Sequence, residues 1–379
     1  MRRLKMTLLP IFVGLMPVLI FFFPILSHNM KEHNIQNAYS PFKKHDSYPR
    51  VVVSLSTIPE RLPFIQPTLE SLLLHQTLPA DAVYLVLPEH KFFGTSKDEK
   101  IEYTFPDFLT SPPKGLIVSH PKYDYGPISK ILPILSIEED PSTRIIYVDD
   151  DVIYEPKLLE LLVKASLSSE NQVIAMSGAK LRSNFRQIKH TQATKDKFPN
   201  LFFHMSAPSH PNQRPLQVDI VQGFAGVCIT PFMISHSKVQ SLFQSTQQSS
   251  LPLGVMQSDD FILSAVMEWA NVTRVVIPGG SGRINISKNV SSISPLSKGM
   301  HNHAMEAAYY LQQRWNIWSH HTFLNPNVLS QEQREAIDCE ASYEQDCISS
   351  PTMCRPNGQF CPKAEAVLKD LVPPSLVAA

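Results

Sequence analysis

Three consecutive aspartates stand in the segment Ile145-Ile146-Tyr147-Val148-Asp149-Asp150-Asp151-Val152. An apolar run feeds directly into these carboxylates, as where open α/β sheets bind ligands beyond the carboxyl ends of their strands. If strand geometry persists, residues two apart face the same way, so Asp149 and Asp151 point together and Asp150 points opposite. Neighbouring carboxylates repel unless a cation joins them, and hard oxygen donors suit Mg²⁺ or Mn²⁺. Such an ion would neutralise a diphosphate and stabilise it as a leaving group. A solvated acidic turn is the alternative; the buried strand before the cluster favours the metal.

Three further segments carry reactive groups. Asp259 and Asp260 open a mostly apolar helix, where favourable charge at a helix N-terminus accounts well for one acid. Asp124-Tyr125-Gly126-Pro127-Ile128-Ser129-Lys130 reads as a turn opening a helix. Its free N–H groups and Lys130 would favour a phosphate or diphosphate, a plain loop with a surface lysine being the alternative. His301 and His303, in Gly299-Met300-His301-Asn302-His303, are candidates for a late metal or phosphate contact, against a structural or solvated role.

The elements that must position these groups alternate. Val51–Leu55 and Ala82–Leu87 read as buried strands, with Phe64, Thr68, Leu69, Leu72 and Leu73 on one face of a helix between them. A strand near Gly115–Val118, a helix carrying Ile128, Ile131, Leu132 and Leu135, strand Arg144–Val148 and a helix through Leu158–Leu162 continue the scheme. Repeated β–α alternation predicts an α/β fold with a mainly parallel sheet flanked by helices. Residues 182–216 read as loops, Val218–Thr230 as strand-like, Asp259–Ala270 as a helix, Thr273–Ile277 as a strand and Tyr309–Trp318 as helical.

The compartment is read from the N-terminus. Arg2, Arg3 and Lys5 precede an apolar stretch from Thr7 to Leu26, about the ~20 residues that cross a bilayer core. A membrane anchor with a lumenal remainder is expected; a cleaved signal peptide is the alternative. Three sequons begin at Asn271, Asn285 and Asn289. Cys339, Cys347, Cys354 and Cys361 lie near the C-terminus, spaced too widely for the usual zinc knuckle and free to form two disulfides in an oxidising lumen, whereas Cys228 reads as a buried small hydrophobe. Lys+Arg and Asp+Glu both number 34 among 379 residues, so there is no basic footprint and no nucleic-acid partner is expected. The chain is expected to divide into a cytoplasmic tail and signal anchor (1–27), a stem (28–49), a catalytic domain (50–330) and a Cys-rich tail (331–379).

The acid triplet resembles the DxD motif of GT-A-fold glycosyltransferases, and the order of the triplet, Asp259-Asp260 and Gly299-Met300 is most similar to the exostosin-like hexosaminyltransferase domain. Members of that group carry an arginine after Gly-Met, where this chain has His301 and His303. The resemblance implies Asp149 and Asp151 at a metal and Asp150 near the donor ribose or sugar. It implies donor contacts from Ser56, Thr57 and Arg61 in Val51-Val52-Val53-Ser54-Leu55-Ser56-Thr57-Ile58-Pro59-Glu60-Arg61, although an ordinary strand and N-capped helix would read the same. Asp124 and Lys130 would line the donor pocket, and Asp260, then Asp259, would be the catalytic or acceptor-binding carboxylate. The expected activity is hexosyl or hexosaminyl transfer from a nucleotide sugar to a glycan, glycoprotein or glycolipid, dependent on Mn²⁺ or Mg²⁺, in a single-pass type II protein of the Golgi or ER membrane. A catalytically silent lumenal protein binding a nucleotide or glycan is the second expectation.

Overall fold

The computed structural model describes residues 48–90, 99–169, 171–181, 202–206, 214–244, 251–279, 283–286, 300–319 and 330–332. The expected anchor, all but the end of the stem, Asn289 and the four tail cysteines lie outside the described residues. Among the described residues no helix is long and apolar enough to cross a membrane.

The first half contains β1 (Val51–Ser56), α1 (Gln66–Leu73), β2 (Ala82–Val86), α2 (Asp107–Thr110), β3 (Leu116–Ser119) and β4 (Arg144–Tyr147). Then follow β5 (Val152–Tyr154), α3 (Leu158–Leu167), β6 (Gln172–Ala175), β7 (Ser177–Leu181) and β8 (Phe202–Ser206). The second half adds β9 (Leu216–Gln217), β10 (Ile220–Val221), β11 (Val227–Ile229), α4 (His236–Gln244), α5 (Leu253–Gln257) and α6 (Asp259–Trp269). β12 (Thr273–Val276), β13 (Arg283–Ile286) and α7 (Met300–Trp315) complete it.

Eight strands form the central sheet in the order β3-β2-β1-β4-β11-β6-β12-β9. β1 runs parallel to both β2 and β4, and β2 to β3; β6 and β12 are also parallel, while β11 and β9 are antiparallel to their neighbours. The sheet is therefore mixed and mostly parallel. From β1 the chain builds outward through β2 to β3, then returns to place β4 on the other side of β1. The carboxyl ends of β1 and β4 thus flank a topological switch point, where a crevice opens because the connections diverge.

Strand alternation divides the core. Val52, Tyr84, Ile145 and Tyr147 face one apolar cluster with Ile128, Phe243 and Ile262, whereas Val51, Val53, Val83 and Ile146 face another with Leu69, Leu72, Leu158 and Leu162. Both faces are covered, which is why these strands are apolar without a polar side.

Several local expectations change. The helix expected through Ile128–Leu135 is two 3-10 turns, Gly126–Lys130 and Ile134–Ser136. Pro133 between them has no N–H and disfavours helical geometry at Leu132. Phe64 is 44% exposed in a 3-10 turn, and Leu62 and Ile65 are buried in its place. Within 182–216, β8 pairs with β7 and β9 pairs with β12. Val218–Thr230 is broken by a 3-10 turn at Gly223–Ala225 and by Gly226 at φ 98°, a left-handed conformation that favours glycine. The last helix begins at Met300 and stops at Trp315, with Asn316 at φ 50° closing it and Trp318 buried beyond.

The amino edge of the sheet is held by one polar cluster. Arg50 Nε donates to Glu138 Oε2 at 2.8 Å and Nη2 to Oε1 at 2.7 Å, and the Tyr84 hydroxyl donates to Oε1 at 2.7 Å. Hydrogen bonding from Arg50 holds the Glu138 carboxyl below its usual range. A carboxyl lowered on folding stabilises the protein above its unfolded pKa, and that stabilisation fades as pH falls through the lower folded value. Glu138→Gln should lose about 1.5–3 kcal/mol at neutral pH, read by urea unfolding. The gap to the unsubstituted protein should close as pH falls below about 4; a gap constant across that range would contradict the charged clamp.

Candidate active site

β4 ends at Tyr147, so Asp149–Asp151 occupy a turn into β5. Asp149 and Asp151 have different partners, Lys130 and Arg61, and the strand that would have set them on one face ends before them. Asp150 is buried: Thr57 donates its hydroxyl to Oδ2, and Arg61 Nη1 donates to Oδ1 at 2.7 Å. The Asp150 carbonyl accepts from the Thr68 hydroxyl of α1 at 3.0 Å. Arg61 Nη1 also lies 3.6 Å from Asp151 Oδ2. Burial, then Asp149 and Asp150, push the Asp151 carboxyl up from its ordinary value despite Arg61.

The turn has a second anchor. The Tyr154 hydroxyl, buried at the end of β5, accepts from the Asp149 N–H at 2.9 Å and lies 3.1 Å from the Asp149 carbonyl and 3.2 Å from that of Phe224. It thereby joins the acid turn to the 3-10 turn at Gly223–Ala225.

Lys130 connects this turn to the acids of α6. It is 5% exposed; its ammonium pairs with Asp149 Oδ1 and lies 2.8 Å from Asp259 Oδ2. Burial alone would lower its pKa, but Asp149, Asp259 and Asp260 together raise it well above the ordinary value. Asp260 Oδ1 accepts from the Gly223 N–H at 2.8 Å. Desolvation, then Asp259, raises the Asp260 carboxyl well above the usual range, against the opposing pull of Lys130. A Cβ on Gly223 would stand 3.2 Å from Lys130 Nζ and 3.3 Å from Tyr147 Cε2, so this glycine leaves room for the ammonium. The Tyr147 hydroxyl is buried without a hydrogen-bond partner among the described residues.

The remaining candidates are distributed as follows. Asp124 is an internal cap: Oδ1 accepts from the Gly126 N–H at 2.8 Å and from the Ser129 hydroxyl at 3.1 Å. Desolvation raises its pKa. Lys130 is not the exposed lysine of the plain-loop alternative; it is buried, and the turn that carries it is 3-10 where a helix start was expected. Ser56 closes β1 half-buried, its hydroxyl without a partner among the described residues. His301 and His303 fall in the first turn of α7, and their side chains lie outside the described residues. Tyr154, Thr68 and Gly223 were not anticipated as parts of the site. Only Gly223, a glycine within an apolar run, carried a sequence signal, since such glycines mark close backbone approach.

Five carboxylates, from Asp149, Asp150, Asp151, Asp259 and Asp260, therefore share one neighbourhood with two cations, Arg61 and Lys130. Asp149 Oδ2 and Asp151 Oδ1 accept no side-chain hydrogen bond among the described residues, and their side chains are 33% and 24% exposed. Excess negative charge with unused oxygens fits a hard divalent cation. Among the described residues no three His, Cys, Asp or Glu side chains are grouped to hold an ion by themselves. Mg²⁺-type sites commonly use one or two carboxylates and complete the shell with substrate phosphates and water.

Comparison of the sequence with protein-family models and with curated proteins gives no match. Among solved structures the chain is similar to a mannosyltransferase from Pyrobaculum calidifontis in complex with GDP-Man and Mn²⁺. The TM-score is 0.40 at 12% identity, covering 80% of this chain and 77% of that one. It is also similar to the 4-diphosphocytidyl-2C-methyl-D-erythritol synthase of Anaerococcus prevotii, with TM-score 0.35 at 12% identity, covering 70% of this chain and 96% of that one.

The Tyr154 anchor is directly testable. Tyr154→Phe removes the acceptor for a part-buried N–H and should cost about 0.5–1.5 kcal/mol in urea unfolding. Unchanged stability would mean that the hydroxyl does not hold the acid turn.

Proposed function

We propose that the chain is a glycosyltransferase that moves a sugar from a nucleotide-sugar donor to a glycan, protein or lipid acceptor, with Mn²⁺ or Mg²⁺ as cofactor. The observation that carries this reading is the placement of Asp149–Asp151 on the turn after β4, at the switch point beside the end of β1, with outward oxygens on Asp149 and Asp151. Two acid motifs joined at a sheet edge are suited to a divalent cation, through which a negatively charged substrate could be held.

In this reading Asp149 and Asp151 offer oxygens to the ion, and the Ser56 hydroxyl stands at the neighbouring strand end as a donor contact. When bound, a divalent cation would neutralise the diphosphate and stabilise it as a leaving group. Thr57 and Arg61 hold Asp150, and through it the acid turn, in one conformation. Gly223 N–H fixes Oδ1 of Asp260, leaving Oδ2 for an acceptor hydroxyl. A carboxylate raised in pKa takes a proton more readily, so Asp260 is suited to general-base work in an inverting transfer; in a retaining one it would stabilise sugar and acceptor. The order of the acid motifs supports hexosyl or hexosaminyl transfer of the exostosin-like kind.

We place the enzyme in the Golgi or ER membrane as a type II protein, on the basic flank and apolar stretch of residues 2–26. Asn271 supports a lumenal position: it is exposed, at φ 56° just after α6, in its sequon with Thr273. Thr273→Ala should remove one glycan, seen as a loss of glycosidase-sensitive mass; an unchanged glycan count would argue against use of this sequon.

The activity is tested by incubating the protein with Mn²⁺ and a panel of nucleotide sugars, with and without glycan acceptors, while nucleotide release is followed. Release from one donor is expected, reduced about 10²–10³-fold in Asp151→Asn with its melting temperature preserved. Metal-dependent donor binding without release under any condition would point to a silent binding protein. Full activity in folded Asp151→Asn would refute the metal assignment.

A further inference from the structure

Lys130 has no counterpart in the mechanism above, because its ammonium is enclosed and reaches no open surface. It nevertheless touches both acid motifs, pairing with Asp149 of the turn after β4 and with Asp259 of α6. Two features show that space is reserved for it. Gly223 supplies no side chain where a Cβ would stand 3.2 Å from Nζ, and Ser54 of β1 donates its hydroxyl to the Lys130 carbonyl, fixing the backbone that delivers the side chain. The Tyr147 hydroxyl, fully buried beside the same group, has no partner among the described residues, so the cluster retains polar capacity beyond its internal pairs.

We propose that Lys130 is a built-in counter-cation that sets the strength of divalent-metal binding, so that the site holds the metal with a diphosphate and only weakly without one. The inference rests on the metal reading of Asp149 and Asp151. Its physical basis is twofold. The ammonium occupies Asp149 Oδ1, leaving one oxygen of that carboxylate for an ion, and it cancels one negative charge a few ångströms from where the ion would sit. A diphosphate restores the missing negative charge and the missing oxygens together. Free metal without substrate would then find the site under-charged, and metal and nucleotide sugar would bind cooperatively. Lys130 acts in this scheme as a positioning residue, since its contacts are with Asp149 and Asp259 and not with the reacting atoms.

The test is Mn²⁺ titration of the full chain without nucleotide, followed by the loss of the free-ion electron paramagnetic resonance signal. Lys130→Met should bind Mn²⁺ roughly tenfold more tightly, and UDP or GDP should tighten Mn²⁺ binding less in Lys130→Met than in the parent. A merely structural lysine would not move metal affinity upward. If Lys130→Met does not fold, Lys130→Gln removes the charge while keeping a polar head and should shift affinity in the same direction. Unchanged or weaker Mn²⁺ binding in a folded variant of either kind overturns the proposal, provided Asp151→Asn weakens binding in the parent. If Asp151→Asn leaves Mn²⁺ binding unchanged, the metal assignment itself fails and takes this inference with it.

Discussion

Mutual repulsion among five aspartates at one end of a sheet is the constraint on which the site depends. Like charges gathered in a partly desolvated space raise one another's pKa and push the chain apart unless cations intervene. Two do so here, from different parts of the chain. Arg61 arrives from the 3-10 turn after β1 and holds Asp150. Lys130 arrives from the turn after β3 and draws Asp149 toward Asp259. Neither could reach its partners without the β3-β2-β1-β4 order, which returns the chain to the far side of β1 and places both turns beside the same strand end.

The same crowding explains the uncharged parts. A buried turn must satisfy its backbone groups, and the Thr68 and Tyr154 hydroxyls do this for Asp150 and Asp149. Gly223 serves two purposes at once, donating its N–H to Asp260 and leaving space for the lysine head. The five carboxylates outnumber the two cations beside them, and Lys130 offsets part of that charge at Asp149 and Asp259. Each acid has a partner on a different element, Asp151 through a longer contact of 3.6 Å with Arg61.

What could be read in the chain was local. The βαβ opening followed from apolar runs such as Val51–Leu55 and from helical spacing at Leu69 and Leu72, because strand and helix periodicities are properties of adjacent residues. The acid triplet after an apolar strand and the acid pair opening α6 were visible for the same reason. Pro133 also stood in plain view, and its missing N–H broke the helix expected from Ile128 to Leu135.

The sequence by itself determined which residue types stand at which strand ends and helix starts, and hence that carboxylates gather at the carboxyl edge of an α/β sheet. Only the tertiary structure decided their partners. Lys130 read either as a phosphate-favouring lysine at a helix start or as a plain surface lysine; its burial comes from groups far from it in sequence, Gly223 and Asp259 among them. The hydrogen bonds of Asp124 to its own turn, and the part Tyr154 plays in holding the acid turn, were not legible in the sequence. Hydrogen-bond and charge partners are set by contacts across the sheet, and those contacts exist only after the strands have taken their order.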